Sequence, residues 1–300
     1  MGYWNDEDGD CSEGGNTTAD GDNSKGDEAV DVSEARNQRQ QPTSARPNNS
    51  TSVYQRACQR LIDKVVRASG GVGPSTRVLD VGYGCGDQDL YLYDKYDCWH
   101  IDGITLEPAQ HQLAQAHTRI RRLDDTILLR TGDAADPNDD SGVWQSGQKY
   151  DRIFAIDCAY HFATRDQFLS NVANSLESGN GSTFVAADIL PTFVPDQTDS
   201  VGRFIMRVIS KVAGVPVENM YTADEYRIKL EKLGFEQVRI EDITSNVFPG
   251  LADYIEDHIS TMSSVVRPSK TLPLTVMKWI LRFLYEQQWC QFVIISAKMP

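Results

Sequence analysis

The sequence predicts an α/β fold organised around a parallel sheet, and three observations carry that prediction. Short apolar runs and amphipathic stretches alternate between positions 77 and 188, repeating at about 25–30 residues, which is the rhythm of strand, crossover helix and parallel strand. The first apolar run (Val78, Leu79, Val81) feeds a loop in which Gly82, Gly84 and Gly86 alternate. Glycine accepts positive φ and has no Cβ, so such a loop turns sharply and lets a ligand lie on bare backbone. The chain of 300 residues, 40% of them hydrophobic, is large enough for one sizeable core or for a core with a subdomain.

Residues 5–50 are rich in Asp, Asn, Gly, Ser, Thr and Gln and nearly devoid of large apolar side chains, so they cannot offset their ordering entropy. They are read as an acidic low-complexity segment, 1–50, ahead of a folded domain over 51–300. Val53, Ala57, Leu61, Val65 and Val66 recur at helical spacing over 52–69, and the glycines of 70–73 with Pro74 end that helix. Strands are predicted at 77–81, 98–105, 126–130, 150–157 and 183–188, with helices at 108–123 and 164–176. The rhythm breaks at 191–220. Pro191, Pro195 and Pro216 flank an apolar helix holding Phe204, Ile205, Val208, Ile209 and Val212, and this insertion, with Phe193, Met206, Met220 and Tyr221, reads as an apolar lid. Thr222-Ala223-Asp224-Glu225 is a capping box that opens a helix closed by Gly234. A strand at 237–243, helices at 251–262 and 274–285, and a strand at 291–297 complete the chain. Lys278 and Arg282 beside Trp279 would suit a membrane-surface helix, but core packing with solvated cations is the favoured reading.

The net charge of −14 is uneven. Eleven acids and only Lys25 lie within residues 5–34, so the remainder is near neutral and lacks the basic excess that a nucleic-acid partner demands. Six scattered cysteines form no C-x-x-C and no metal-ligand spacing, and no apolar run is long enough to span a bilayer. The expectation is a reduced, cytoplasmic enzyme without a metal. The glycine spacing is one residue tighter than G-x-G-x-x-G, and Asp87 and Asp89 stand where the following helix starts. Carboxylates there would repel a pyrophosphate, which weighs against a nicotinamide-dependent oxidoreductase. They suit a ligand with positive charge and no phosphate.

Several motifs then line up in one order. Asp80-Val-Gly-Tyr-Gly-Cys-Gly86 resembles motif I of class I S-adenosylmethionine-dependent methyltransferases. Gly103-Ile-Thr-Leu-Glu-Pro-Ala-Gln110 resembles the end of the second strand in their small-molecule branch. That branch contains rebeccamycin-type sugar O-methyltransferases, tocopherol methyltransferases and cyclopropane-synthase-like enzymes. Gly132-Asp133-Ala134 resembles the adenine-contacting turn, Ala155-Ile-Asp-Cys-Ala-Tyr-His161 the strand-four motif, and Gly2-Tyr3-Trp4 the segment that covers the cofactor. The resemblance implies a Rossmann-like sheet of seven strands in the order 3-2-1-4-5-7-6, helices on both faces, and S-adenosyl-L-methionine as cofactor. It assigns Asp80, Gly82, Gly84 and Gly86 to the methionine end, and Asp133 and Ala134 to adenine. Thr105, Leu106 and Gln110 stand where many class I enzymes place a ribose-binding acid. Tyr3, Trp4, Asp157 and Cys158 complete the set.

Transfer to a hydroxyl needs alignment and a base, the latter worth about 10²–10⁴-fold. Tyr160 and His161 follow strand four and Asp188 is placed at the end of strand five, both at the crevice where open α/β sheets bind ligands. His161 oriented by Asp188 is the expected base, with Tyr160 as an alternative acid/base or substrate-binding group. Read alone, His161 is a capping or packing histidine and Asp188 a turn carboxylate. The expected activity is O-methylation of a small, rather apolar acceptor, such as a secondary metabolite. Methylation at nitrogen or carbon, of a small or lipid-like acceptor, and a non-catalytic partner subunit remain alternatives. Oligomeric state is not indicated.

Overall fold

A computed structural model describes residues 1–4, 52–145, 147–179, 181–193, 200–262 and 268–300, with no side-chain description for 200, 201, 268 and 269. The chain divides into a unit of residues 1–5 with 53–300 and a second of 6–52. The predicted acidic segment, apart from Met1 to Trp4, lies outside the described residues, as does Pro195.

Seven strands form one sheet: β1 (Arg77–Val81), β2 (His100–Thr105), β3 (Ile127–Thr131), β4 (Arg152–Ile156), β5 (Thr183–Pro191), β6 (Glu236–Asp242) and β7 (Cys290–Lys298). Their order is β3-β2-β1-β4-β5-β7-β6, and only β7 runs antiparallel to its neighbours. This is the class I methyltransferase order. Adjacent strand residues alternate between two cores. Val78, Phe154, Val185 and Phe292 pack with α1 (Val53–Ala68), α7 (Thr244–Met262) and α8 (Pro268–Glu286), while Leu79, Ile153, Phe184 and Val293 pack with α4 (Arg165–Ser175) and α6 (Ala223–Lys232). Both faces are buried, which is why the central strands read as unbroken apolar runs rather than alternating ones.

Local signals account for most element ends. Thr164 Oγ1 accepts from Gln167 N–H at 3.2 Å and opens α4. Glu107 caps α3 (Pro108–Ile120), with Pro108 at its first position. The Thr222–Glu225 capping box forms as predicted. Two helices start earlier than predicted, because Pro249 in α7 and Pro273 in α8 sit inside them rather than ahead of them. Val247 and Phe248 bury the first turns of α7 against the sheet, and tertiary packing there overrides the breaker. Strand β5 also runs three residues past Asp188, through the pairing of Pro191 with Cys290 of β7. Asp188 is therefore inside a strand, not at its end.

Gly103 in the middle of β2 has a steric reason. A Cβ there would lie 2.6 Å from the Tyr83 ring and 2.8 Å from Leu129. Tyr83 is buried, lies 2.7 Å from His111 Nδ1, and donates its hydroxyl to the Arg130 carbonyl at 3.1 Å, so it fixes the glycine loop to β3 through the space that Gly103 leaves. Gly103→Ala is expected to lower stability by about 1–3 kcal/mol through overpacking. Urea unfolding should show a lower midpoint with an unchanged slope.

Candidate active site

A cavity of about 1100 Å³ opens where the sheet order reverses, between the C-terminal ends of β1, β2 and β4. Its walls are the glycine loop, Ile104 to Glu107, Gly132 to Ala134, the turn after β4, and Tyr54, Cys58 and Met1. Each glycine of the loop has its own reason. Gly82 (φ +75°) lies where a Cβ would sit 2.7 Å from Cys158 Sγ, and Gly86 (φ +82°) where it would sit 2.8 Å from Ala114. Gly84 (φ +61°) has nothing within 4 Å of that position, so its backbone is the face left open to a ligand. Cys158 donates its thiol to Val81 O at 3.1 Å, and burial pushes that thiol well above the ordinary range, so it is a packing group.

Of the residues assigned to the cofactor, Gly82, Gly84, Thr105, Leu106, Gln110, Asp133, Ala134, Asp157 and Cys158 line this cavity. Asp133 Oδ1 accepts from Ala135 N–H at 2.8 Å, which leaves the carboxylate further acceptor capacity. Asn171 Nδ2 donates to Ala134 O at 3.0 Å and holds the turn. Thr105 Oγ1 and Gln110 Oε1 are 3.3 Å apart. An open glycine backbone, an acceptor at the Asp133 turn and the Asp87 carboxyl at the start of α2 (Asp87–Tyr96), with Arg121 of the same wall taken up by Asp94, fit a cationic, phosphate-free nucleoside such as S-adenosylmethionine.

Four assigned residues lie elsewhere. Tyr3 and Trp4 do not face the cavity. Tyr3 is buried with its N–H on Ala57 O at 2.7 Å, and Trp4 donates its N–H to Asn246 O at 2.8 Å and packs against Tyr54 and Tyr254. The segment docks on α1 and α7, and it is Met1 that reaches the cavity, where its ammonium pairs with Asp157. Gly86 caps α2, and Asp80 lies below the loop. The sequence reading also left out the wall from α1. Tyr54 and Cys58, one helical turn apart, flank the cavity, and their spacing was the available signal.

The expected catalytic group does not assemble as a His161–Asp188 dyad. His161 lines the cavity, and its Nδ1 is 3.1 Å from the Gly214 carbonyl. A carbonyl only accepts, so Nδ1 carries the hydrogen and the neutral ring keeps a bare Nε2. Asp188 is fully buried and paired with Arg165, Nε to Oδ2 at 3.5 Å. Burial raises its carboxyl to about 6, against the pull of Arg165. The Arg165 guanidinium also lies over Tyr221 and Tyr226, at 4.7 and 5.4 Å from their ring centroids. Tyr160 is buried and donates to Asp157 Oδ1 at 2.6 Å, and burial beside Asp157 drives its hydroxyl far above the usual range. It holds Asp157. The predicted lid behaves differently too, since none of the described residues 191–193 and 200–220 lines the cavity. Its contribution is Gly214 O together with Asn219, whose Nδ2 donates to Tyr160 O at 3.0 Å and Phe162 O at 2.6 Å. These bonds hold the turn that carries His161.

Asp89 turns inward, and it does not present its charge at the mouth of the loop. It is fully buried below the loop beside Asp80, with the Gln88 amide as the neighbouring polar group and no cation paired with either carboxyl among the described residues. Burial raises Asp80 to about 6, and burial with the Asp80 charge raises Asp89 well above the carboxylate range, so the two resist being ionised together. Both carboxyls bind protons more tightly folded than unfolded. The pair therefore leaves stability intact below about pH 4 and costs progressively more from there up through about 6. Asp89→Asn supplies a neutral donor of the same shape. Thermal melts should show the variant several degrees more stable than the native chain at pH 8 and the gap closing below pH 5. A constant gap would contradict the burial argument.

No protein-family model matches the chain. Among curated proteins it is 26% identical over 200 residues to the erythromycin 3''-O-methyltransferase of Saccharopolyspora erythraea, covering 66% of this chain and 62% of that protein. It is 27% identical over 188 residues to the sarcosine/dimethylglycine N-methyltransferase of Halorhodospira halochloris, covering 63% of this chain and 61% of that protein. The match thus spans about three-fifths of each relative's length. The geranyl diphosphate C-methyltransferase of Streptomyces coelicolor, solved with Mg2+, geranyl diphosphate and S-adenosyl-L-homocysteine, shares the fold at TM-score 0.62 and 16% identity, over 85% of both chains. The chain therefore has the class I methyltransferase fold and is similar in sequence to S-adenosylmethionine-dependent methyltransferases of small molecules.

Proposed function

We propose that the chain transfers a methyl group from S-adenosylmethionine to a hydroxyl of a small, rather apolar acceptor, with His161 as the general base. The observation that carries this reading is a shared wall: His161, with Nε2 left bare by the Gly214 carbonyl, lines the same cavity as the open backbone of Gly84 and the Asp133 turn. When bound, the cofactor supplies an electrophilic methyl on a sulfonium, and methylation of a hydroxyl releases one proton. Nε2 takes that proton. Gly84 lets the methionine end approach the backbone, Asp133 accepts from the adenine amine, and Gln110 with Thr105 serves the ribose. Asp157, held by Tyr160, offers a carboxylate to a ligand ammonium in the position that Met1 fills. Arg165, Asp188 and Asn219 position the 160–162 turn and touch no reactant. The erythromycin methyltransferase, by its name an O-methyltransferase, supports oxygen as the acceptor atom.

A second reading moves the acceptor to nitrogen, as the name of the sarcosine/dimethylglycine relative suggests. A neutral amine brings its own lone pair and needs no base. Calorimetry with S-adenosylhomocysteine tests the cofactor, and labelled S-adenosylmethionine with a cell extract identifies the acceptor. His161→Ala should then lower kcat by about 10²–10⁴-fold with S-adenosylhomocysteine affinity unchanged. Asp133→Ala should do the reverse, weakening cofactor affinity with a smaller effect on kcat. A His161→Ala variant that keeps its rate points to nitrogen, and absence of S-adenosylhomocysteine binding defeats both readings.

A further inference from the structure

Helix α5 (Ser200–Ala213) contains no acid and carries two apolar rows. Successive residues lie about 100° apart around a helix axis, so Met206 and Ser210, buried, and Ile205 and Ile209, half-buried, form the inner half of the helix. Phe204, Val208 and Val212 form a second row, and it faces water, at 68%, 45% and 63% exposure. Beside it runs a third row, Arg203, Arg207 and Lys211, of which Arg203 is half-buried and Arg207 and Lys211 are exposed. The outer half of the helix is therefore apolar along one edge and cationic along the other, the pattern of a helix lying in a lipid–water interface. Helix α8 makes the contrast. It also exposes Leu272, Val276 and Trp279, but its Lys278 and Arg282 are matched by Glu256 and Asp253 of α7, so its charge is neutralised within the fold.

We propose that the outer face of α5 docks on an anionic lipid surface. Phe204, Val208 and Val212 enter the headgroup boundary, and Arg207 and Lys211 meet the lipid phosphates. The net charge of −14 opposes such contact, but most of it belongs to residues 5–34, and the rest of the chain is near neutral. The helix ends at Ala213, and the next carbonyl, Gly214, holds His161. Docking therefore sets the cavity wall beside the membrane, where an apolar molecule dissolved in lipid is available to it. The docking itself is independent of which atom is methylated.

The test is co-sedimentation of the full chain with vesicles of phosphatidylcholine alone and of equal parts phosphatidylcholine and phosphatidylglycerol. Binding is expected only to the second kind, with loss at high salt. The Arg207→Gln, Lys211→Gln double variant should partition about 25-fold more weakly, at roughly fivefold per cation, while keeping its melting temperature and its affinity for S-adenosylhomocysteine. In a Phe204→Trp variant, brominated lipids should quench the emission added at position 204. Equal binding to both vesicle types, or binding unaffected by the double variant, overturns the proposal. So does a dimer in sedimentation that Phe204→Ser with Val208→Ser dissociates, since the face would then join two copies of the chain.

Discussion

The structure depends on how tightly the 82–86 loop is packed. Gly82 is pressed on Cys158 after β4, Gly86 on Ala114 of α3, and Tyr83 passes through the gap at Gly103 to reach Arg130. Three strands and a helix are thus referenced to one short loop, and side chains larger than hydrogen would break each contact. The consequence is directional. With its other sides occupied, the loop has one free face, at Gly84, and the cavity forms there. The position of every other wall residue follows from strands that this loop locks in register.

Below and beside that loop the fold buries acidic groups in two different ways. Asp188 is matched by Arg165, and the guanidinium is itself covered by two tyrosine rings. A buried pair of this kind gains little net stability, because desolvation offsets attraction. What it does fix is geometry, since Arg165 N–H also donates to Asn219 Oδ1 at 2.9 Å, and Asn219 grips the His161 turn from both sides. Asp80 and Asp89 have no cation among the described residues and resist being ionised together. One pair ties the His161 turn to the sheet and the other lies beneath the glycine loop, and burial raises Asp188 and Asp80 alike to about 6.

The alternation of strands and helices was legible from sequence because it is written in local terms: apolar runs, glycine spacing and capping boxes act within a few residues. The strand order came from the resemblance that the motifs carry, and the sheet has that order. What was not legible required knowing where a strand stops or which neighbour is nearer. Asp188 reads as strand-terminal until β7 is seen to pair as far as Pro191. Its partner, Arg165, is 23 positions away and carries no pattern of its own. The acceptor for His161 is a backbone carbonyl, which any residue supplies, so Gly214 leaves no trace in side-chain chemistry. Tyr3 and Trp4 were singled out through the resemblance, and the side on which they dock is set by the Ala57 and Asn246 carbonyls, which are distant in sequence.

The replacement of Asp188 by Gly214 changes what the region 191–220 is for. A carboxylate behind an imidazole strengthens the base electrostatically, whereas a carbonyl sets its tautomer and angle with far less effect on its basicity. The orientation of His161 is then controlled by the segment that links α5 to α6, not by the sheet. Two bonds from Asn219 and one from Gly214 make that segment a single lever on the turn. Anything that shifts α5, whose outer face is apolar and cationic and whose inner face is anchored by Met206 and Ser210, shifts the donor geometry at Nδ1 first. A sheet-borne carboxylate would have insulated the base from such movement. Here the group proposed to take the proton is held by Gly214, directly after α5, so what that helix touches bears on the chemistry.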